Sequence, residues 1–249
     1  MEMYCIKNEK PQIVYTMISE ENGYVLLKGY THRIIKKVIA SSIECANKEL
    51  IEKEDKIKER YIRTNQNIRR NKVLYGTILH IDGDKEYLNS CLEFYKTMNI
   101  FAWGIYIKEK EVKQKIIDIL DDVNPDILVI TGHDAYNGLG AKDLDNYENS
   151  KVYVDILKTI RQRYKKDNLV IIIGACASHY EALIANGANF ASSPARINIH
   201  TYDPAVVACK VASTSCNKTV DFDNVIKHII DGQKAIGGIE TKGKMRIIY

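Results

Sequence analysis

Asp126-Ile-Leu-Val-Ile-Thr-Gly-His133-Asp134 and Leu169-Val-Ile-Ile-Ile-Gly-Ala-Cys176-Ala-Ser-His179 decide how this chain folds. Each opens as a short, unbroken apolar run rich in β-branched residues, the pattern of a strand buried on both faces. Each run stops at a Gly and is followed at once by a reactive side chain. Helical patterns separate such runs, so the sheet is expected to be parallel. In an open parallel sheet, neighbouring strand ends open into one crevice, the usual ligand site. His133 at one tip and Cys176 at the next are therefore a candidate base–nucleophile pair.

The alternation extends outward from these two runs. Gly76 to Asp82 and Ile100 to Ile107 read as further strands. Lys85 to Met98 reads as a helix with Leu88, Cys91, Leu92 and Tyr95 on one face. Glu109 to Val123 is a second helix, stopped by Asn124-Pro125. Asp134 to Asn149, with Gly138 and Gly140, is long enough for a lid or binding loop. Ser150 to Tyr164 and Ser178 to Ala185 are helices, the latter ended by Asn186-Gly187. Asn189 to Ser192 and Arg196 to His200 are weaker strands. Asp203-Pro204 opens a helix to about Ala212. Asp221 to Asp231 reads as a last helix, and Gly237 to Gly243 as irregular. Residues 73–249 are thus expected to form a doubly wound α/β domain with a mainly parallel sheet.

Residues 1–47 read differently. Gln12 to Ser19 and Tyr24 to Lys28 are short strands around the hairpin signal Glu21-Asn22-Gly23. His32 to Ile39 continues the β character. A small antiparallel barrel or meander fits, as a docking or stabilising module. Residues 48–72 form a charged segment without Gly or Pro and with sparse apolar positions. It is expected to be a helical or disordered linker, open to nicking.

A length of 249 residues suits one large domain or a main domain with a small one. Apolar content of 45% and charged content of 27% are those of an ordinary globular protein. A net charge of +4 reads as solvated surface and calls for no nucleic-acid partner. The six Cys stand at 5, 45, 91, 176, 209 and 216 without a CxxC pair. Those spacings argue against a disulfide framework or zinc site, and for reduced thiols in the cytosol. No 18-residue apolar run and no signal peptide are present, so a soluble chain without a membrane partner is expected.

Cys176 lies between a strand end and an expected helix start. Free N–H groups and the positive helix end would stabilise a thiolate there. Gly174 and Ala175 leave room for a substrate carbonyl. The N–H of Cys176, with that of Gly132 or His133, would hold the oxyanion. The plainer alternative makes Cys176 a small buried hydrophobe. His179 is a weaker base candidate and a possible helix cap or core group. His80 reads as structural, and His200 stays in reserve.

The order strand–His–helix–strand–Cys resembles that of the caspase-like cysteine peptidases. Asp134 stands where those enzymes usually carry Gly, and Gly174 where several carry an acid or amide. Longer stretches resemble the YabG family. They are Leu79-His-Ile-Asp-Gly-Asp-Lys-Glu-Tyr-Leu, Asp126 to Asp134, Gly174-Ala-Cys-Ala-Ser-His-Tyr-Glu-Ala-Leu, Gly187-Ala-Asn-Phe-Ala-Ser-Ser-Pro, Ile199-His-Thr-Tyr-Asp-Pro and Gly237 to Gly243. The resemblance runs from about Gly76 to the C-terminus and, more loosely, through the N-terminal β region. It implies a sporulation-specific cysteine peptidase of endospore-forming Firmicutes, needing no cofactor or metal. Such an enzyme would work in the mother cell, associated with the spore coat, and trim spore coat and cortex-associated proteins after Arg. The nucleophile falls on Cys176, with His133 as base on the caspase-like geometry.

Cutting after Arg requires a carboxylate for a guanidinium that cannot lose its charge. Asp82 at the end of the first strand is the main candidate. Asp84 would cap the helix from Lys85 or assist, with Asp134, Asp143 and Asp145 next in line. Arg60, Arg63, Arg69 and Arg70 are candidate self-cleavage sites. Two other classes stay open. Asp82-Gly83-Asp84 resembles the Asp-x-Asp of magnesium-dependent haloacid-dehalogenase phosphatases, although Glu86 stands where that family wants Thr or Val. A non-catalytic, flavodoxin-like binding module is the second.

Overall fold

A computed structural model describes residues 2–65 and 73–248. The N-terminal module is an antiparallel sheet of β1 (Met3–Ile6), β2 (Tyr15–Glu21), β3 (Tyr24–Gly29), β4 (Ile35–Ile39) and β5 (Ile43–Cys45). Its strand order is β4-β3-β2-β1-β5. Asn22 and Gly23 adopt φ of 52° and 76°, the left-handed pair a tight hairpin between β2 and β3 requires. Ile13, Tyr15, Val25 and Leu27 form its small core.

α1 (Lys48–Asn65) corrects the expectation of a linker that buries little of itself. It is a docked helix whose Glu54 and Tyr61 are buried. The Thr31 hydroxyl donates to Glu54, and the Tyr61 hydroxyl donates to Asp203. Sparse apolar positions were a poor guide because Ile57, Tyr61 and Ile62 among them pack against the main core, and Glu54 adds a buried hydrogen bond. Arg60 and Arg63 lie on α1, while Arg69 and Arg70 lie outside the described residues.

The alternation then follows: β6 (Val73–Leu74), β7 (Ile78–Asp82), α2 (Lys85–Thr97), β8 (Ala102–Tyr106), α3 (Glu109–Val123) and β9 (Ile127–Thr131). α4 (Ser150–Arg161), β10 (Val170–Ile173), α5 (Tyr180–Ala185), β11 (Phe190–Ser192) and α6 (Asp203–Ser213) come next. α7 (Phe222–Ile226), β12 (Ile236–Gly238) and β13 (Arg246–Ile247) close the chain. The main sheet has the order β12-β11-β10-β9-β7-β8. Its pairings are parallel except for β12, which runs antiparallel to β11. All residues of β9 and β10 are buried, which is why their runs show no polar alternation.

Successive residues serve the two faces. Leu79, Ile81, Leu128, Ile130, Ile171 and Ile173 pack with residues of α3, α4 and α5. Ile78, Ile127, Val129, Val170 and Ile172 pack with residues of α2 and α6. Strand order reverses between β7 and β9, the point where such sheets open a crevice at their carboxyl ends.

Three local expectations change. Arg196 to His200 is not a strand; His200 makes only an isolated antiparallel bridge to His32. Gly237 and Gly238 belong to edge strand β12, where a Cβ on Gly238 would collide with Phe190. The last expected helix is regular only over Phe222–Ile226. Among the described residues no helix is long and apolar enough to cross a membrane.

Candidate functional site

β7 ends in Asp82, which has no exposed side-chain surface. Its Oδ2 accepts from Arg33 Nη1 of the N-terminal module and, at 2.8 Å, from the Thr131 hydroxyl. Its Oδ1 accepts from the Asp84 amide at 2.9 Å. Burial alone would raise this carboxyl, but Arg33 and then His80 outweigh it and hold it at about 2. Arg33 Nη2 also reaches Thr201 O at 3.1 Å and Cys91 Sγ at 3.3 Å. The carboxylate expected to receive a substrate's guanidinium therefore holds one from the same chain. His80 is structural, bridging Tyr95 and Thr131 at 2.9 and 2.7 Å.

Asp84 caps α2, its Oδ1 accepting from the Glu86 and Tyr87 amides at 2.9 and 3.2 Å. Lys28 Nζ binds the same oxygen at 2.7 Å. Oδ2 lies 3.3 Å from His133 Nε2. Burial pushes this carboxyl up, yet His133 and Lys28 bring it well below the usual range. Asp84 thus stands beside the candidate base.

His133 follows β9 directly. Its amide donates to Glu109 Oε1 at 2.8 Å, so it is not a free oxyanion donor. Its Nδ1 is buried without a hydrogen-bond partner among the described residues. Glu109, read from the sequence only as a helix start, lies against Gly83 and Gly132, where a Cβ would collide with its carboxylate. Gly132 therefore admits Glu109 to the crevice floor.

Asp134 fastens the two strand ends together. Its Oδ1 accepts from the Ala135 and Asn149 amides at 2.9 and 2.8 Å. Its Oδ2 accepts from the hydroxyls of Ser150 and Ser178. Ser178 Oγ in turn accepts from the Ala175 amide at 2.9 Å. Ala175 is fully buried and its N–H is committed, so it is not open to a substrate in this state. Ala177 takes a left-handed φ of 53°, bending the chain sharply after Cys176.

Cys176 is buried, with the Ile199 amide donating to its sulfur at 3.4 Å. Burial pushes the thiol up to about 12, against the pull of the Ile199 and Arg33 backbone and the Arg33 charge. This state therefore holds a neutral thiol. The helix expected to begin at Ser178 starts at Tyr180, with His179 as its cap, so α5 does not begin at Cys176. Cys176 and His133 follow adjacent strands, Ile130 pairing with Ile173. No hydrogen bond joins them among the described residues. A cavity of about 600 Å³ lies at this junction, lined by Ile34, Glu109, His133, Ala177 and Asn198 among others.

The model of the YabG peptidase U57 family matches residues 11–249. The chain belongs to the YabG peptidase family. The Bacillus subtilis (strain 168) sporulation-specific protease YabG is 45% identical to it over 175 residues. That stretch is 69% of this chain and spans only 60% of the relative. No solved structure matches the chain.

In this YabG-family chain the remaining histidines have local roles. His179 Nδ1 accepts from the Ala182 amide at 3.3 Å, and its Nε2 lies 3.2 Å from Lys142 O. His200 stacks on Tyr61 at 4.5 Å between ring centroids. The loop carboxylates Asp143 and Asp145 cap the turn at Leu144 and pair with Lys151, respectively. Arg33, Glu109 and the Asp84–His133 contact escaped the sequence because each joins residues distant along the chain. The one legible signal was the unpaired carboxylate at the end of β7, which called for a cation.

Proposed function

We propose that this YabG-family chain is a caspase-like cysteine endopeptidase cutting after Arg. Cys176 is the nucleophile, His133 the base, and Asp84 the group that orients His133. Asp82 takes the guanidinium of the residue before the scissile bond. One observation carries this reading. The Asp82 cleft already receives a guanidinium, and its wall includes Thr201, two residues from the Ile199 peptide that touches Cys176 Sγ.

With Nε2–H directed at Asp84, the free Nδ1 of His133 is the lone pair that takes the thiol proton. The thiolate adds to the carbonyl carbon, and the Cys176 N–H stabilises the oxyanion. The C–N bond then breaks as imidazolium protonates the leaving amine. Water, deprotonated by His133, hydrolyses the thioester. Spore coat and cortex-associated proteins are the substrates of this reading, in the mother cell, with the chain itself as one more; what supports it is the sporulation-specific protease that the chain resembles. The phosphatase alternative is weakened because Asp82 and Asp84 are engaged by Arg33, Lys28 and His133.

The test is cleavage of an Arg-containing peptide, and of a co-expressed coat protein, by the parent and by Cys176→Ala. The variant is expected to lose several orders of magnitude while its circular dichroism melt is kept. Retention of more than about a tenth of the activity removes Cys176 from the mechanism. A Cys176 no more reactive than Cys91 towards iodoacetamide, in a chain that cleaves nothing even when Tyr87→Phe loosens the N-terminal module, favours the binding module.

A further inference from the structure

The β3–β4 connection leaves the N-terminal module and enters the α/β domain. The Thr31 carbonyl accepts from the Thr201 amide at 2.9 Å. The Arg33 amide donates to Ile199 O at 3.5 Å, and His32 bridges His200 in antiparallel sense. Thr31 to Arg33 therefore meets Ile199 to Thr201 through one isolated antiparallel bridge, the backbone-to-backbone sense in which extended peptides bind. At its end the Arg33 side chain fills the Asp82 cleft with no exposed surface. The peptide unit that receives Arg33 is the one whose neighbouring N–H contacts Cys176 Sγ at 3.4 Å.

The chain does not run on past Arg33 as a bound substrate would. The Ile34 amide donates back to His32 O at 2.8 Å, and Ile34 O accepts from the Gly29 amide at 2.8 Å. The loop closes on itself just where the scissile bond of a substrate would lie. Further contacts strap it down. The Tyr87 hydroxyl donates to His32 O at 2.6 Å and also to Gly29 O. Lys28 pairs with Asp84 at 2.7 Å.

We infer that Thr31–Arg33 is a built-in inhibitor: it occupies the strand site and the Arg cleft as a substrate would, and keeps the chain latent until the N-terminal module is displaced. The inference rests on the peptidase reading for what is inhibited; the occupancy itself does not. Arg33 and a substrate Arg exclude one another at Asp82. The apparent affinity for substrate therefore falls by the fraction of molecules in which the module is out of the site. The tethered segment also competes at a high effective concentration. A buried, neutral thiol in the occupied state agrees with latency.

The experiment compares the intact chain with Arg33→Ala and Tyr87→Phe. Tyr87→Phe leaves the Arg33–Asp82 pair in place and loosens only the strap, so it serves if Arg33→Ala fails to fold. Three readouts are taken: iodoacetamide alkylation mapped to Cys176, cleavage of an Arg-containing peptide, and the melting-temperature shift caused by N-acetyl-arginine amide. Both variants are expected to alkylate and cleave at least about tenfold faster than the parent. N-acetyl-arginine amide is expected to raise the melting temperature of Arg33→Ala and not of the parent. A folded variant that alkylates at the parent rate overturns the inference. So does a parent that cleaves as fast as both variants, an outcome that leaves the peptidase reading intact. Faster alkylation and ligand binding with no cleavage anywhere uphold the occupancy and sink the peptidase reading instead.

Discussion

Arg33 and Asp82 stand 49 residues apart in sequence and meet as an ion pair with no exposed side-chain surface on either partner. Such a pair is weak evidence of net stabilisation against an apolar replacement, but breaking it strands a buried charge. Asp82→Asn is therefore expected to cost about 3–5 kcal/mol in urea unfolding. The sequence alone suggested a loss confined to substrate binding; the structure adds a loss of fold stability. The pH sign follows from a carboxyl lowered from 3.8 to about 2. Its contribution is present above the unfolded value and is lost as pH falls from about 4 towards 2. An Asp82→Asn variant with the parent's urea midpoint would show that the pair does not fasten the module.

His133→Ala is expected to lower kcat by about 10²–10⁴-fold, the usual span of a general base. Asp84→Asn keeps an oxygen to cap α2 but loses the charge beside His133 Nε2. It should shift the pH–rate profile and, because Lys28 loses its buried partner, also lower the melting temperature. His179→Ala should cost about 1 kcal/mol, as a lost helix cap, and leave kcat within a few-fold. A dead His179→Ala beside an active His133→Ala would reverse the assignment.

Self-cleavage after Arg60 or Arg63 is not expected, because both belong to α1, whose backbone bonds are made within the helix. A peptidase needs its substrate extended, and α1 is held by Tyr61 and Glu54. Fragments from stored enzyme, sized by mass spectrometry, should therefore not end at Arg60 or Arg63. A fragment ending at either would mean that α1 undocks readily.

The sheet was legible because its strands are buried on both faces, so β9 and β10 announce themselves as unbroken apolar runs. Glycines at their ends marked the crevice, and Asp84 was readable as a cap from its position before Lys85. What failed to show was everything set by contacts across the chain. Tyr61 anchors α1 at helical spacing from Leu50 and Ile57, but with Glu54 in the same stripe the apolar face is too thin to announce docking. Gly237 and Gly238 looked like punctuation, yet they form an edge strand because Tyr180 and Phe190 leave no room for a side chain. Glu109 sits at the start of an ordinary helix, and only the fold brings it over Gly83 and Gly132. Arg33 is one cation among many in a basic chain, with nothing local to say that its partner is Asp82.

The docking of α1 gives a final expected outcome. Tyr61 donates to Asp203, stacks on His200 at 4.5 Å, and accepts from the Ile230 amide at 3.3 Å. Because His200 bridges His32, α1 backs the segment that holds Arg33 in the cleft. Asp203 is buried, and burial lifts its carboxyl to about 7 from 3.8, against the hydrogen bonds of Tyr61 and the His200 amide. A raised carboxyl binds its proton more tightly in the folded chain than in the unfolded one. Its contribution is therefore whole below about pH 4 and is lost as pH rises to 7. His80 and His200, lowered by burial, act with the opposite sign around 6.5. The informative quantity is thus the stability of the parent minus that of Asp203→Asn, read from urea unfolding at pH 4 to 7. It should fall across that window by an amount on the order of a few kcal/mol. Tyr61→Phe, which removes one of the bonds holding Asp203 ionised, should extend the fall to higher pH and speed Cys176 alkylation. A difference flat from pH 4 to 7 would mean that Asp203 stays ionised in the fold, with Tyr61 and His200 outweighing its burial.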